Sequence, residues 1–107
     1  MEISNLNKRS MKIRNVYHQF EKSLHGSEWS KQEDVLAYLT DAGLIARLFM
    51  SKENRWPMSD SPINTKEQFG QKLAENIWWL FVIAGNEGID LEYELNKFLT
   101  SKEKMEK

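Results

Sequence analysis

Residues 72–92 read KLAENIWWLFVIAGNEGIDLE, and they form the most apolar segment of the chain. Apolar residues run without interruption from Ile77 to Ala84, and a turn signal, Gly-Asn-Glu-Gly, follows directly. The apolar pattern continues upstream with helical spacing, at Phe69, Leu73, Ile77, Leu80 and Ala84. A helix that is apolar on nearly every side must be covered on nearly every side. The segment therefore predicts a helix at the centre of the core or of an oligomer interface.

Two other interpretations of this segment agree less well with its pattern. A buried strand over residues 77–83 would leave the helical spacing at Phe69 and Leu73 without an explanation. A membrane span needs about 20 consecutive apolar residues, and the uninterrupted run is much shorter. We therefore favour a helix.

The composition indicates a globular protein with a single domain over residues 1–107. Hydrophobic residues make up 40% of the chain and charged residues 29%, which is ordinary for globular proteins. A net charge of −1 gives no basic footprint for nucleic acid. The lack of cysteine excludes disulfides, zinc-thiolate sites and thiol nucleophiles. The first residues, MEISNLNKR, contain no apolar signal region, so we expect a cytoplasmic protein with no membrane partner.

Two amphipathic helices are predicted in the N-terminal half, after a flexible segment over residues 1–10. The first is expected to end near Gly26, because glycine is a common C-terminal cap. Its apolar stripe has helical spacing and consists of Ile13, Val16, Tyr17, Phe20 and Leu24. The second helix is predicted to begin with a capping box of Ser30 and Glu33 and to run to about Met50.

A polar loop and two more helices are predicted in the C-terminal half. The loop covers residues 51–64 and contains both prolines. Thr65, with Gln68 as its partner, is predicted to cap the third helix, which contains the apolar segment. Asp90 is predicted to cap the fourth, and residues 101–107 are expected to be flexible. Since no strand pattern is present, we predict an all-α four-helix bundle.

Short phrases within these helices occur in a recognisable order. They are DAGL at 41–44 in the second helix, FGQKLAE at 69–75, IWWLF at 77–81, and GIDLE at 88–92. In this order they resemble the MazG-like family of all-α nucleotide pyrophosphohydrolases, over roughly residues 13–104. The resemblance implies cleavage of nucleoside triphosphates to monophosphate and pyrophosphate. It also implies Mg²⁺ held by four carboxylates on two facing helices.

The resemblance implies site residues by position. Acids three residues apart share one helix face, and Mg²⁺ prefers hard oxygen ligands. Carried over to this chain, the first acidic pair falls on Asp41 and Leu44, and the second falls on Lys72 and Glu75. Asp41 and Glu75 are thus the candidate metal ligands, and Lys72 is the candidate substrate-binding residue.

The chain departs from the family pattern at half of these positions. Leu44 cannot bind a metal, and Lys72 places a positive charge where the family holds a cation, so we expect any Mg²⁺ binding to be weak. Our hypothesis is that Lys72 forms an ion pair with Asp41, Glu75 or both, and occupies the space of the lost metal.

Three functions stay open from the sequence. The favoured one is a MazG-like protein with a degenerate site and a binding or regulatory role, with a nucleotide as its implied ligand. The alternatives are an active divergent pyrophosphohydrolase and an unrelated helical protein-interaction module. We also expect a homodimer or homotetramer, because residues 77–84 offer more apolar surface than short neighbouring helices easily cover.

Overall fold

The computed structural model describes residues 2–56 and 66–105. The regular structure in these residues consists of four helices: α1 Ile3–His25, α2 Lys31–Lys52, α3 Lys66–Asn86 and α4 Leu91–Glu103. No strand occurs in the described part of the chain, which confirms the prediction of an all-α protein. Within those same residues, no helix combines the length and the apolar character that crossing a bilayer requires.

The predicted helix caps at Ser30 and Asp90 are confirmed. The Ser30 hydroxyl accepts a hydrogen bond from the backbone N–H of Glu33 at 3.2 Å, and the Glu33 carboxylate accepts one from the N–H of Ser30 at 2.9 Å. The Asp90 carboxylate likewise accepts from the N–H of Tyr93 at 3.0 Å. These bonds satisfy N–H groups that have no partner inside a helix. The cap predicted at Thr65 lies outside the described residues.

α1 ends where the sequence predicts and begins earlier than expected. Gly26 follows its last residue with a φ of 80°, in the left-handed region that glycine adopts without steric cost. Its N–H bonds to the carbonyl of Lys22 at 2.9 Å. At the other end the helix begins at Ile3. Ile3 and Leu6, which lie in its first turns, are half-buried. The expected flexibility of residues 1–10 stays a prediction.

The chain divides into two compact units, and each takes a different part of α3. The first unit is Met1–Trp29 with Phe81–Lys107, and so contains α1, α4 and the end of α3. The second is Ser30–Leu80, and so contains α2 and the longer N-terminal part of α3. The prediction of one domain over residues 1–107 stays a prediction.

The buried apolar side chains of the first unit come from the end of α3. Phe81, Val82 and Ala84 are all buried there, and α1 packs against α4 in the same unit. A Cβ atom added to Gly85 would lie 2.9 Å from Cγ of Met11 and closer still to its sulfur. Glycine at this position therefore permits a close approach between α1 and α3.

α1 buries polar side chains and exposes apolar ones. Ser10 and Arg14 are buried. The apolar stripe predicted from the sequence is exposed, and it consists of Ile13, Val16, Tyr17, Phe20 and Leu24. A surface helix of a globular protein ordinarily does the opposite. The single chain therefore leaves the apolar face of α1 uncovered.

In the second unit α2 and α3 meet through aromatic and polar contacts. The rings of Phe49 and Phe69 lie 5.8 Å apart between centroids, a normal spacing for a packed aromatic pair. Ser51 and Asn76 are buried. Ile77 and Leu80 of the apolar segment are exposed, so this part of α3 is not covered on every side within the chain.

Candidate functional site

The three candidate residues lie together in the second unit. Asp41 is on α2, and Lys72 and Glu75 are on α3. Lys72 and Glu75 share a face of α3 because they are three residues apart. The sequence folds as a helix here because good helix formers, Lys72-Leu-Ala-Glu75, precede the apolar run. The two helices thus bring residues distant in sequence to one place.

Lys72 bonds to both acids. Its Nζ donates to Oε2 of Glu75 at 2.8 Å and to Oδ1 of Asp41 at 3.3 Å. This confirms the predicted ion pair, in the form that includes both partners. The side chains of Lys72 and Asp41 are 22% and 16% exposed, while that of Glu75 is 43% exposed. These three residues, called the Lys72 cluster below, are thus half-buried and open to solvent at Glu75.

The two carboxylates stabilise the charged form of the lysine. The hydrogen bond to Glu75 raises the pKa of Lys72, burial opposes it, and the bond and charge of Asp41 raise it further. Opposite charges at this distance favour the ionised form. Lys72 is therefore a fixed cation at neutral pH, and it already uses two of the three donors that an ammonium group offers.

The residues present do not fit the magnesium cluster that the resemblance implies. Asp41 and Glu75 are the acids of this cluster, and both are hydrogen-bonded to an ammonium group. Of the four positions at which the resemblance implies a carboxylate, one is occupied by Leu44, an exposed apolar residue. No group of three or more His, Cys, Asp or Glu with metal-site geometry occurs in the described residues. A cation is already supplied by the chain itself, which makes a second one at the same acids unfavourable.

Asn76 borders this site and was not identified from the sequence. It is 6% exposed, and its Nδ2 donates to the carbonyl of Lys72 at 2.8 Å. Its Oδ1 is buried without a hydrogen-bond partner. A buried acceptor without a partner costs free energy unless a water or a ligand reaches it. An amide directly before the apolar run, four residues after the lysine, was the available signal.

A second charged group on α1 was also missed. Arg14 is 1% exposed and forms a two-pronged pair with Glu21, at 2.7 and 3.2 Å. The Glu21 carboxylate also accepts the backbone N–H of Trp29 at 2.7 Å. Burial acts to raise the pKa of Glu21, but the bonds from Arg14 and Trp29 outweigh it and lower the pKa. Both partners are well shielded from solvent. These two residues, named the Arg14 pair, connect α1 to Trp29, which follows the end of the helix.

Trp56 is the last described residue before the undescribed part of the predicted loop, and it contacts Arg47 of α2. The guanidinium of Arg47 lies 3.8 Å from the centre of its ring, which is a close cation–π contact. Arg47 also donates a hydrogen bond to the carbonyl of Trp56. These contacts hold Trp56 against α2.

An open cleft of about 800 Å³ lies in the first unit, away from the Lys72 cluster. α1 lines it with Asn7, Met11 and Asn15, and the start of α4 lines it with Ile89 and Asp90. None of the three candidate residues is part of it. The cleft therefore does not support a role for Asp41, Lys72 or Glu75.

Comparison with known proteins provides no relative. No family model, no curated protein and no solved structure matches the chain. The geometry of the Lys72 cluster and the sequence resemblance are therefore the two grounds for a function. The MazG-like resemblance itself stays a prediction.

Proposed function

We propose that this chain is a cytoplasmic protein of the MazG-like nucleotide pyrophosphohydrolase fold with a degenerate metal site. In this proposal it has a binding or regulatory role in place of catalysis. The observation that carries the proposal is the contact of Lys72 with both Asp41 and Glu75, at 3.3 and 2.8 Å. Lys72 stands at a position where the resemblance implies an acid.

The chemistry of triphosphate cleavage explains why this substitution matters. Divalent cations bridge phosphate oxygens, neutralise developing charge and activate the attacking water. An ammonium group can bind a phosphate oxygen as a point charge, but it does not provide an activated water. A site with Lys72 in place of metal ions can therefore hold a phosphate and has lost the means to cleave it.

The alternative is an active divergent pyrophosphohydrolase. It is favoured by the meeting of Asp41 and Glu75 on α2 and α3, as the resemblance implies. In this alternative a reduced pair of carboxylates would hold the metal ion, and Lys72 would turn to the phosphates. The two proposals make opposite predictions about pyrophosphate release.

The decisive experiment measures pyrophosphate release from ribo- and deoxynucleoside triphosphates, with Mg²⁺ and with Mn²⁺. We expect no release above the blank from the wild type or from Asp41→Ala. Metal-dependent release by the wild type that is lost in Asp41→Ala would overturn the degenerate-site proposal and support the alternative.

A second arm asks whether the chain binds nucleotides without cleaving them. Equilibrium dialysis with the same triphosphates and with nucleoside monophosphates is expected to show binding that Lys72→Gln weakens at least tenfold. Lys66→Gln on the same helix is the matched control, because Lys66 is exposed and outside the cluster. Equal affinities for the wild type and Lys72→Gln would remove Lys72 from the binding site.

A further inference from the structure

The open cleft of the first unit has the size and the lining of a small-molecule site. Its volume of about 800 Å³ lies within the roughly 300–1,000 Å³ of such sites. All of its lining residues belong to the first unit. One wall is a face of α1, and the other consists of the end of α3, the turn after it and the start of α4. Apolar atoms form most of the surface, which includes Ile3, Met11, Ile89 and Leu91.

Cations line the α1 wall of this cleft. Lys8, Arg9 and Lys12 all contribute to it. Lys8 and Lys12 are four residues apart and therefore neighbours on the helix surface. Both lysines are exposed, and none of the ion pairs in the described part of the chain involves either of them. The α1 wall thus offers two ammonium groups to a ligand.

The opposite wall carries two carboxylates, which limit the charge of a suitable ligand. Asp90 caps α4 by accepting the N–H of Tyr93, and Glu92 is exposed in the first turn of α4. Because three cations and two carboxylates line the cleft, its net charge is +1. A carboxylate, with one negative charge, matches this value. A triphosphate would bring several negative charges close to Asp90 and Glu92, where like charges repel.

Asn7 provides a second reason to expect a ligand in the cleft. It lines the α1 wall, and among the described residues its Oδ1 is buried without a hydrogen-bond partner. A buried acceptor in this state costs free energy. A donor on a bound molecule would remove this cost, because the terminal amide of asparagine turns readily about its last side-chain bond.

We propose that this cleft binds a small organic carboxylate that has an apolar body and one N–H or O–H donor. The carboxylate bonds to Lys8 and Lys12, the apolar body lies against Met11 and Ile89, and the donor bonds to Oδ1 of Asn7. The inference is independent of the proposed function, because the Lys72 cluster belongs to the other unit and lines no part of the cleft.

Titration of the full chain with indole-3-acetate, followed by proton–nitrogen NMR, tests the proposal. This probe has a carboxylate, an apolar ring and one N–H donor. We expect saturable shifts of the side-chain amide of Asn7 and of the backbone amides of Met11, Gly88 and Ile89. The absence of such shifts would overturn the proposal. Shifts centred instead on exposed apolar residues outside the cleft, such as Phe98, would also overturn it.

The charge of the ligand is tested on the wild type with a neutral probe. Indole-3-acetamide has the same ring and ring N–H but no charge, and we expect it to bind about tenfold more weakly than indole-3-acetate, since it loses two exposed ion pairs. Equal affinities for the two probes would overturn the choice of an anion. Shifts of the same cleft residues by a nucleoside triphosphate would overturn the choice of a singly charged ligand.

A pair of double variants tests whether the two lysines bind the carboxylate. Lys8→Gln combined with Lys12→Gln is expected to weaken the binding of indole-3-acetate about tenfold and to leave that of indole-3-acetamide unchanged. Lys22→Gln combined with Lys102→Gln is the matched control, because it removes the same charge at exposed positions outside the cleft. Equal weakening by both double variants would overturn the assignment of the carboxylate to Lys8 and Lys12.

A methylated probe tests the donor. 1-Methylindole-3-acetate lacks the ring N–H, and we expect it to bind the wild type about fivefold more weakly than indole-3-acetate. Asn7→Leu is similar in size to the wild type and lacks the acceptor, so it should bind the two probes equally. Equal binding of both probes by the wild type would overturn the role of Asn7, and so would the same preference in the wild type and in Asn7→Leu.

Discussion

The Arg14 pair and the Lys72 cluster join cations to carboxylates in opposite ways. Arg14 is almost completely buried and bonds through two donors to a carboxylate seven residues away on its own helix. Lys72 is more exposed and divides its donors between two acids, one of them 31 residues away. A planar guanidinium fits a carboxylate in one fixed geometry, whereas an ammonium is a point charge on a flexible stem. The difference indicates a structural role for the first and an exchangeable partner for the second.

The largest expected effect is the loss of the Arg14 pair. Glu21→Gln removes a two-pronged, shielded contact between charged groups, and each such bond contributes about 1.5–3 kcal/mol net. We expect the free energy of unfolding to fall by about 3 kcal/mol, as measured by urea denaturation followed by circular dichroism. Glu28→Gln is the control, because its contacts with Lys22 and His18 are long and exposed and should contribute less than about 1 kcal/mol. Equal losses in both variants would contradict a structural role for the Arg14 pair.

The next effect comes from reversing the charge at the Lys72 cluster. Lys72→Glu places a third carboxylate beside Asp41 and Glu75. We expect the free energy of unfolding to fall by about 2 kcal/mol, because like charges repel at this partly exposed site. Millimolar Mg²⁺ should restore this loss, because a ligand that binds the folded state stabilises it. The wild type and Lys66→Glu should not respond. A wild type that gains as much stability from Mg²⁺ as the variant would show that Lys72 does not occupy the metal position.

A smaller effect is expected when the lysine is only neutralised. Lys72→Met keeps the length of the side chain and removes the contacts with Asp41 and Glu75. Because the cluster is partly exposed, we expect a loss of no more than about 1 kcal/mol in the free energy of unfolding. A loss as large as that of Glu21→Gln would mean that the two regions are equally structural.

The smallest effect is the pH dependence of stability. It is expected at high pH for the Lys72 cluster and at low pH for the Arg14 pair. The pKa of Lys72 is raised above its ordinary 10.5, so its contribution is complete below pH 10.5 and is lost as the pH rises through the raised value. The pKa of Glu21 is lowered below 4.5, so its contribution is complete above pH 4.5 and is lost as the pH falls through the lowered value.

Unfolding of matched variants checks both directions. The stability difference between wild type and Lys72→Met should shrink above pH 10.5, and that between wild type and Glu21→Gln should shrink in acid. If the stability difference between wild type and Glu21→Gln stays the same in acid, the effect of the substitution does not come from the ionised Arg14 pair.

Local features of the fold could be predicted because they depend on residues close in sequence. The capping box of Ser30 and Glu33, the cap at Asp90 and the glycine stop at Gly26 each involve residues within four positions. The start of α1 at Ile3 was missed, because few apolar residues mark that end and contacts within the first unit keep it helical.

The candidate site was predicted in its members and not in its full surroundings. The resemblance supplied all three members, Asp41, Lys72 and Glu75, and the three-residue spacing of Lys72 and Glu75 places these two on one helix face. Asn76 was missed, because its burial follows from the packing around α3 and not from its neighbours in sequence. Arg14 was missed for the same reason, since a charged residue beside an apolar stripe is ordinarily exposed.

The sequence by itself determined the helical class, most of the helix ends and the spacing that aligns Lys72 with Glu75, because these depend on backbone bonds and neighbours a few residues apart. Only the tertiary structure decided which faces are buried. It placed Asp41 within reach of Lys72, shielded the polar side of α1 and left the apolar face of α1 exposed. Burial depends on contacts between segments far apart in the chain. An apolar pattern indicates that a helix face is to be buried, but it does not indicate which surface packs against that face.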